Sequence, residues 1–291
     1  MTLLGNHLVL DPDSLIGIDL DPNRHQVIDE SVQAKALRLL LDDITLFCKH
    51  ASGITLRSYQ KDVALAVVDS IKHHRGLSIV VVFPRQSGKN ELQAQIETYL
   101  LAILSTVDCE IVKASPTWKP QTVNAMIRLE RVLQKNIFTR NRWEKESGYI
   151  YRVGKARITF LSGSQSTSVV GATANLLLEC DEAQDISITK WDKDFAPMAA
   201  STNATRLFWG TSWTSTMLLA RELRAAQEAQ EADGIRRVFK LTADEVSAEV
   251  PAYGQFVDDQ VRRLGRNHPL IKTQFFSEEI GSQLGCFPPE R

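Results

Sequence analysis

The sequence predicts an α/β fold, a mostly parallel sheet with helices on both faces. Three observations carry this. Short runs rich in Val, Ile and Leu alternate with longer segments of helical period. These runs are apolar throughout rather than alternating, as strands covered on both faces are. Two of them stop abruptly in polar residues: residues 77–83 before Pro84-Arg85-Gln86-Ser87-Gly88-Lys89, and residues 176–180 before Asp181-Glu182.

The elements follow in order. Residues 1–30 mix apolar and acidic groups with Pro12 and Pro22 and read as an irregular arm. From Ser31 the apolar positions Leu37, Leu40, Leu41, Ile44 and Phe47 have helical spacing, and a second helix is expected over 57–73. Residues 77–83 form a buried strand, 84–88 a turn and 89–104 a helix. The pattern then repeats, with a strand at 110–114 and a helix at 121–134. Residues 149–153 and 156–161 form a hairpin turning at Gly154-Lys155. Strands follow at 176–180 and 206–210, and a long helix rich in Ala, Glu and Arg covers about 215–232.

Composition narrows the classes. The chain has 291 residues, 43% hydrophobic and 24% charged, with a net charge of −1. That balance is globular, and a nucleic-acid grip would need a local basic patch rather than a global field. The stretch with Lys135, Arg140, Arg142, Lys145, Arg152, Lys155 and Arg157 is the densest basic region. The four cysteines are widely spaced, with no CxxC pair, which argues against a zinc site or a disulfide framework and suits a reduced, cytosolic setting. The longest apolar runs are too short to span a bilayer, so no membrane partner is expected.

The turn at 84–89 lies where a phosphate cradle needs to be, between a buried strand and a helix N-terminus. Backbone N–H groups and the positive end of the helix dipole favour a polyphosphate there. Gly88 permits close approach, and Lys89 reaches the β- and γ-phosphates. Pro84, Arg85, Gln86, Ser87 and Asn90 complete the expected nucleotide contacts. The match to GxxxxGK[ST] is imperfect. Phe83 replaces the first Gly, and Asn90 stands where a Mg²⁺-binding Ser or Thr would be. On the second strand end, Asp181 would hold Mg²⁺ together with Asn90, and Glu182 would polarise the attacking water. Glu179 shares a strand face with Asp181 and is the competing register, but it lies inside the apolar run.

These motifs together resemble the ATPase domain of the large terminase subunit of tailed bacteriophages, a P-loop NTPase of the RecA/ASCE-like kind. Arg85-Gln86-Ser87-Gly88-Lys89 matches the variant Walker A of that family, and Asp181-Glu182 its Walker B with the catalytic Glu. Tyr59-Gln60 resembles the adenine-recognising glutamine motif, and Gly210-Thr211-Ser212 the coupling motif that senses the γ-phosphate. The resemblance implies ATP and Mg²⁺ as cofactors, with Glu182, Lys89 and Arg85 catalytic. It also implies double-stranded DNA as cargo, a small terminase subunit as partner and a pentameric ring on a capsid portal in the cytoplasm of the infected host cell. It divides the chain into an N-terminal arm and helix (1–55), an ATPase domain (56–285) with a helical or lid part from about residue 214, and the start of a linker (286–291).

Two departures qualify this. Relatives carry an Arg-Gly about a dozen residues before the catalytic Glu, where this chain has Val169-Val170-Gly171. The role of that arginine falls to Arg85 in cis, or to a neighbour's arginine such as Arg152 or Arg157. The RNase H-like nuclease of full-length terminases is also missing from these residues, which implies a shortened chain or a split gene and no nuclease activity. Two other readings remain open. A superfamily 2 helicase-like translocase would share Gln60 and Asp181-Glu182-Ala183-Gln184 but needs a second lobe. A nucleotide-binding scaffold without turnover would suit the missing Ser/Thr but has no need of Glu182.

Overall fold

The computed structural model describes residues 3–4, 7–8, 30–165, 169 and 171–280. Two short strands, β1 (Leu3–Leu4) and β2 (His7–Leu8), pair antiparallel. The remainder of the 1–30 arm, Val170 and the 286–291 linker lie outside the described residues. The single helix expected from Ser31 is two helices, α1 (Glu30–Asp42) and α2 (Ile44–Ala51). Asp43 separates them because its carboxylate accepts from the Thr45 and Leu46 amides at 2.7 and 3.4 Å, capping α2. Ile44, Phe47, Cys48 and Ala51 are buried in the main core, so α2 belongs to the body of the fold.

Helix α3 (Ser58–Lys72) leads to β3 (Ser78–Val82), which turns through 84–88 into α4 (Lys89–Ile103). Strand β4 (Cys109–Ser115) and α5 (Val123–Lys135) follow. The expected hairpin is β6 (Ile150–Val153) with β7 (Ala156–Ser162), and β5 (Trp143–Glu146) adds an antiparallel strand that the sequence did not suggest. Then come β8 (Leu177–Cys180), a run of short helical turns including α6 (Ile188–Lys190), β9 (Thr205–Gly210) and α7 (Leu218–Asp233). The last segment is not purely helical. Strand β10 (Val238–Lys240) returns to the sheet before α8 (Ala243–Glu249), α9 (Pro251–Leu264) and α10 (Pro269–Phe275).

The sheet has eight strands in the order β10-β3-β9-β8-β4-β7-β6-β5. It is parallel from β10 to β7 and antiparallel only at the β6 and β5 edge. The period of two along each strand splits the core into two layers. Ile79, Val81, Ile111, Leu177, Leu207 and Trp209 face one layer, and Val80, Val82, Val112, Leu178 and Phe208 the other. Strand β9 stands between β3 and β8, so the turn at 84–89 and the Asp181 edge open on the same rim with one strand between them. That is the crevice beyond the carboxyl ends of strands where open α/β sheets bind ligands. No described helix is long and apolar enough to cross a membrane.

Candidate nucleotide-binding site

The turn between β3 and α4 is held from below by the start of α3. Tyr59 OH and Arg57 Nη1 both donate to the Ser87 carbonyl, at 2.9 and 3.1 Å, and Gln60 Nε2 donates to the Gly88 carbonyl at 3.2 Å. The Ser87 hydroxyl donates to the Pro84 carbonyl at 2.7 Å, closing the turn on itself. The Ser87 and Gly88 carbonyls are thus taken up by the start of α3, and the first-turn amides of α4 have no helical acceptor. Gly88 at φ 96° and Gln86 at φ 64° are left-handed, and a Cβ on Gly88 would meet Gln60 Nε2 at 2.7 Å. Phe83 stands where the GxxxxGK[ST] pattern has its first glycine. It is buried and packs edge-on to Tyr59 at 5.5 Å.

The two motifs meet. Lys89 Nζ lies 3.6 Å from Glu182 Oε1, and Asp181 is buried beside it. Glu182 has φ 45°, a left-handed conformation rare outside glycine and typical of strained functional positions. Burial acts to raise its carboxyl, but Lys89, a hydrogen bond from Gln184 and the charge of Arg85 outweigh that and hold it below the usual carboxylate range. Glu182 is therefore ionised at neutral pH. Asp181 is held the other way: burial raises it despite the pull of Lys113. Its Oδ1 accepts from Gln93 Nε2 at 2.9 Å and from the Glu182 amide at 3.1 Å. A carboxylate fixed through one oxygen beside a phosphate cradle fits Mg²⁺, which takes its remaining ligands from phosphate and water. Asn90 is exposed on the first turn of α4, one residue after Lys89.

The competing acid, Glu179, lies away from the crevice. It sits under α4 in a dry cluster where Lys113 Nζ meets Glu97 Oε1 at 2.6 Å, Gln93 Oε1 at 2.8 Å and Glu179 Oε1 at 3.7 Å. Lys89, Gln93 and Glu97 recur at intervals of four and so share one stripe of α4. That stripe runs from Lys89 to Gln93, which joins Asp181 to Lys113.

Gly210, Thr211 and Ser212 stand at the same rim, since Gly210 is paired in register with Val82 of β3. Thr211 donates its amide to Gln184 Oε1 at 3.3 Å, and Ser212 Oγ donates to the Ser277 carbonyl at 2.8 Å. The C-terminal helices also hold the phosphate loop. Arg85 donates its amide to the Gln274 carbonyl at 2.9 Å, and its own carbonyl accepts from Tyr253 OH at 2.9 Å. The Arg85 side chain is exposed, and its charge helps hold the Glu182 carboxyl down. Arg152 and Arg157 are less available: each is ion-paired within its own chain, to Glu146 at 2.7 Å and to Glu110 at 2.6 Å. Lys145 of the basic stretch is likewise paired, to Glu130 at 2.8 Å.

Arg57, Gln93, Lys113, Gln184, Tyr253 and Ser277 were not singled out from sequence. For Gln93 and Glu97 a signal existed, the four-residue spacing from Lys89 on a helix that is otherwise apolar toward the sheet. Gln184 figured only as the last residue of Asp181-Glu182-Ala183-Gln184, and Arg57 only as the start of a helix; Lys113, Tyr253 and Ser277 come from remote segments and carry no local mark.

No protein-family model matches the chain, and no curated protein matches it in sequence. Solved structures do. The large terminase of bacteriophage HK97 matches with a TM-score of 0.67 at 15% identity, over 82% of this chain and 55% of that one. The large terminase ATPase domain of Thermus phage P74-26 matches with a TM-score of 0.58 at 15% identity, over 79% of this chain and 96% of that one. The large terminase of a thermophilic bacteriophage, solved in complex with ADP, matches with a TM-score of 0.55 at 12% identity, over 76% of this chain and 52% of that one. The chain thus spans about half the length of the whole terminases and nearly all of the separate ATPase domain. With the eight-stranded, mostly parallel sheet, these matches show that the chain shares the α/β fold of phage large terminase ATPase domains.

Proposed function

We propose that this chain hydrolyses ATP as the motor domain of a viral DNA-packaging terminase, driving double-stranded DNA into a procapsid. The observation that carries the reading is the approach of Lys89 to Glu182 at 3.6 Å, with Asp181 adjacent, across an inserted strand. A mere nucleotide binder has no use for a strained, ionised glutamate in that place. Pro84, Arg85, Gln86, Ser87, Gly88, Lys89 and Asn90 would cradle the triphosphate, while Tyr59 and Gln60 would face adenine. The Gln60 amide keeps one N–H and one lone pair beyond its bonds to Gly88 and Arg57.

Asp181 and Asn90 would hold Mg²⁺, whose charge would neutralise the phosphates. Lys89 turns from Glu182 to the β- and γ-oxygens when ATP enters, which frees the carboxylate to orient and polarise a water in line with the γ-phosphate. Arg85 supplies a second cation from the loop. Gly210, Thr211 and Ser212 would sense loss of the γ-phosphate and pass it to the C-terminal helices through Ser277. Assembly as a five-membered ring on a portal, with a small terminase subunit, in the host cytoplasm, completes the proposal.

The test is steady-state hydrolysis of ATP with Mg²⁺ at high protein concentration. Lys89→Ala should abolish it, and Glu182→Gln should lower it by about 10²–10⁴-fold while nucleotide still binds. Wild-type activity no greater than that of the two variants would overturn the reading in favour of a non-hydrolysing scaffold.

A further inference from the structure

We propose that Gln184 is a positioning residue that holds the Glu182 carboxylate for its attack geometry and ties it to the Thr211 amide. Reorientation of the one is thereby felt by the other. This rests on the hydrolytic reading of the same site.

Three contacts meet on one side chain. Gln184 Nε2 donates to Glu182 Oε2 at 2.7 Å, and Gln184 Oε1 accepts from the Thr211 amide at 3.3 Å. A Cβ at position 210 would overlap Gln184 Oε1, so the amide seats on the bare face that Gly210 provides. The orientation of the amide is dictated from the Thr211 end. A backbone N–H only donates, so the Gln184 oxygen must face Thr211 and its nitrogen Glu182. A second, longer bond to Asp185 Oδ2 at 3.4 Å fixes the same nitrogen side.

The physical need follows from what surrounds Glu182. Its backbone is left-handed, so local conformation does not favour its position. Its carboxylate has two clamps, Lys89 on Oε1 and Gln184 on Oε2. ATP takes Lys89 away, and Gln184 becomes the group that keeps the carboxylate from swinging. The same amide reaches β9, the strand inserted between the two halves of the site. No element between residues 182 and 211 is needed to carry the signal. A displacement of Glu182 by the γ-phosphate or its water pulls directly on the strand end that leads to Ser212 and Ser277.

The test uses the full chain with Gln184→Ala and with the near-isosteric Gln184→Glu, which cannot donate to Glu182 when ionised. Three readouts are taken: ATPγS affinity with Mg²⁺, kcat for ATP, and hydrogen exchange of the Thr211 amide with and without ATPγS. The proposal expects affinity within about threefold of wild type and kcat lowered by about 10–100-fold, in line with loss of one oriented group in the attack geometry. It also expects ATPγS to change Thr211 exchange in wild type and to leave it unchanged in both variants. A purely structural role would speed Thr211 exchange in every state but preserve the response to ATPγS, and that result would overturn the proposal. Unchanged kcat would overturn it too. Wild-type chain that binds ATPγS but never hydrolyses ATP would instead remove the hydrolytic reading, and the proposal with it.

Discussion

Replacing Lys113 by Met tests whether the dry charge cluster beneath the site is a structural foundation. The lysine is 2% exposed and lies 2.6 Å from Glu97, 3.7 Å from Glu179 and 2.8 Å from the Gln93 oxygen. Methionine fills the same volume but leaves two carboxylates, each 1% exposed, without a cation. Breaking a buried pair by deleting one partner costs about 3–5 kcal/mol, because the orphaned charge has no water to turn to. At roughly 2–4 °C per kcal/mol for a domain of this size, the melting temperature should fall by about 6–20 °C. Denaturant titration followed by tryptophan fluorescence measures the change, since Trp191 and Trp209 are buried in the core. Neutralising the whole cluster, with Glu97→Gln and Glu179→Gln added, should recover most of the loss.

The pH dependence of that deficit has a definite sign. Burial acts to lower Lys113, but Glu179, Glu97 and Asp181 outweigh it and hold the ammonium above the usual lysine range. Its stabilisation is therefore present throughout neutral pH and disappears only as pH rises through that elevated value. Burial raises the Glu179 carboxyl well above its ordinary value even with Lys113 present. A raised carboxyl means that the folded state binds the extra proton, so stability falls as pH rises from the ordinary range near about 4.3 toward the folded value. Without Lys113 that effect grows, and the deficit of the variant should be smaller at pH 5 than at pH 8. A loss below about 1 kcal/mol at pH 8, or a deficit independent of pH, would refute the view that these carboxylates depend on Lys113.

Gln60→Ala removes both the bond to Arg57 N that caps α3 and the brace on Gly88. Stability should drop by about 0.5–2 kcal/mol, and competition binding should show weaker ATP and GTP, with the larger loss for ATP; unchanged affinities would dismiss the role. Tyr253→Phe deletes the hydroxyl that holds the Arg85 carbonyl. Calorimetry should find nucleotide affinity reduced by a few-fold, consistent with one hydrogen bond of about 1 kcal/mol, while an unaltered affinity would show that α9 does not steady the loop.

The sequence by itself determined the order of strands and helices, because that order follows from local rules. Apolar runs of β-branched residues form buried strands wherever they fall, and Gly154-Lys155 between two such runs makes a hairpin. A Gly-Lys pair between a strand and a helix marks the phosphate loop, and acids at a strand end mark its partner. The cap at Asp43 was missed, because the regular spacing of Leu37 to Phe47 concealed the break. The strands β5 and β10 are short and weakly patterned, and they exist because an edge of the sheet accepts them. Only the tertiary structure decided which remote side chains complete the site. Gln184 matters because β9 is inserted beside β8, Lys113 because β4 lies on its other side, and Tyr253 because α9 packs against the phosphate loop. Periodicity constrains which face a residue occupies, whereas the neighbours across that face depend on strand order, and no local spacing encodes strand order.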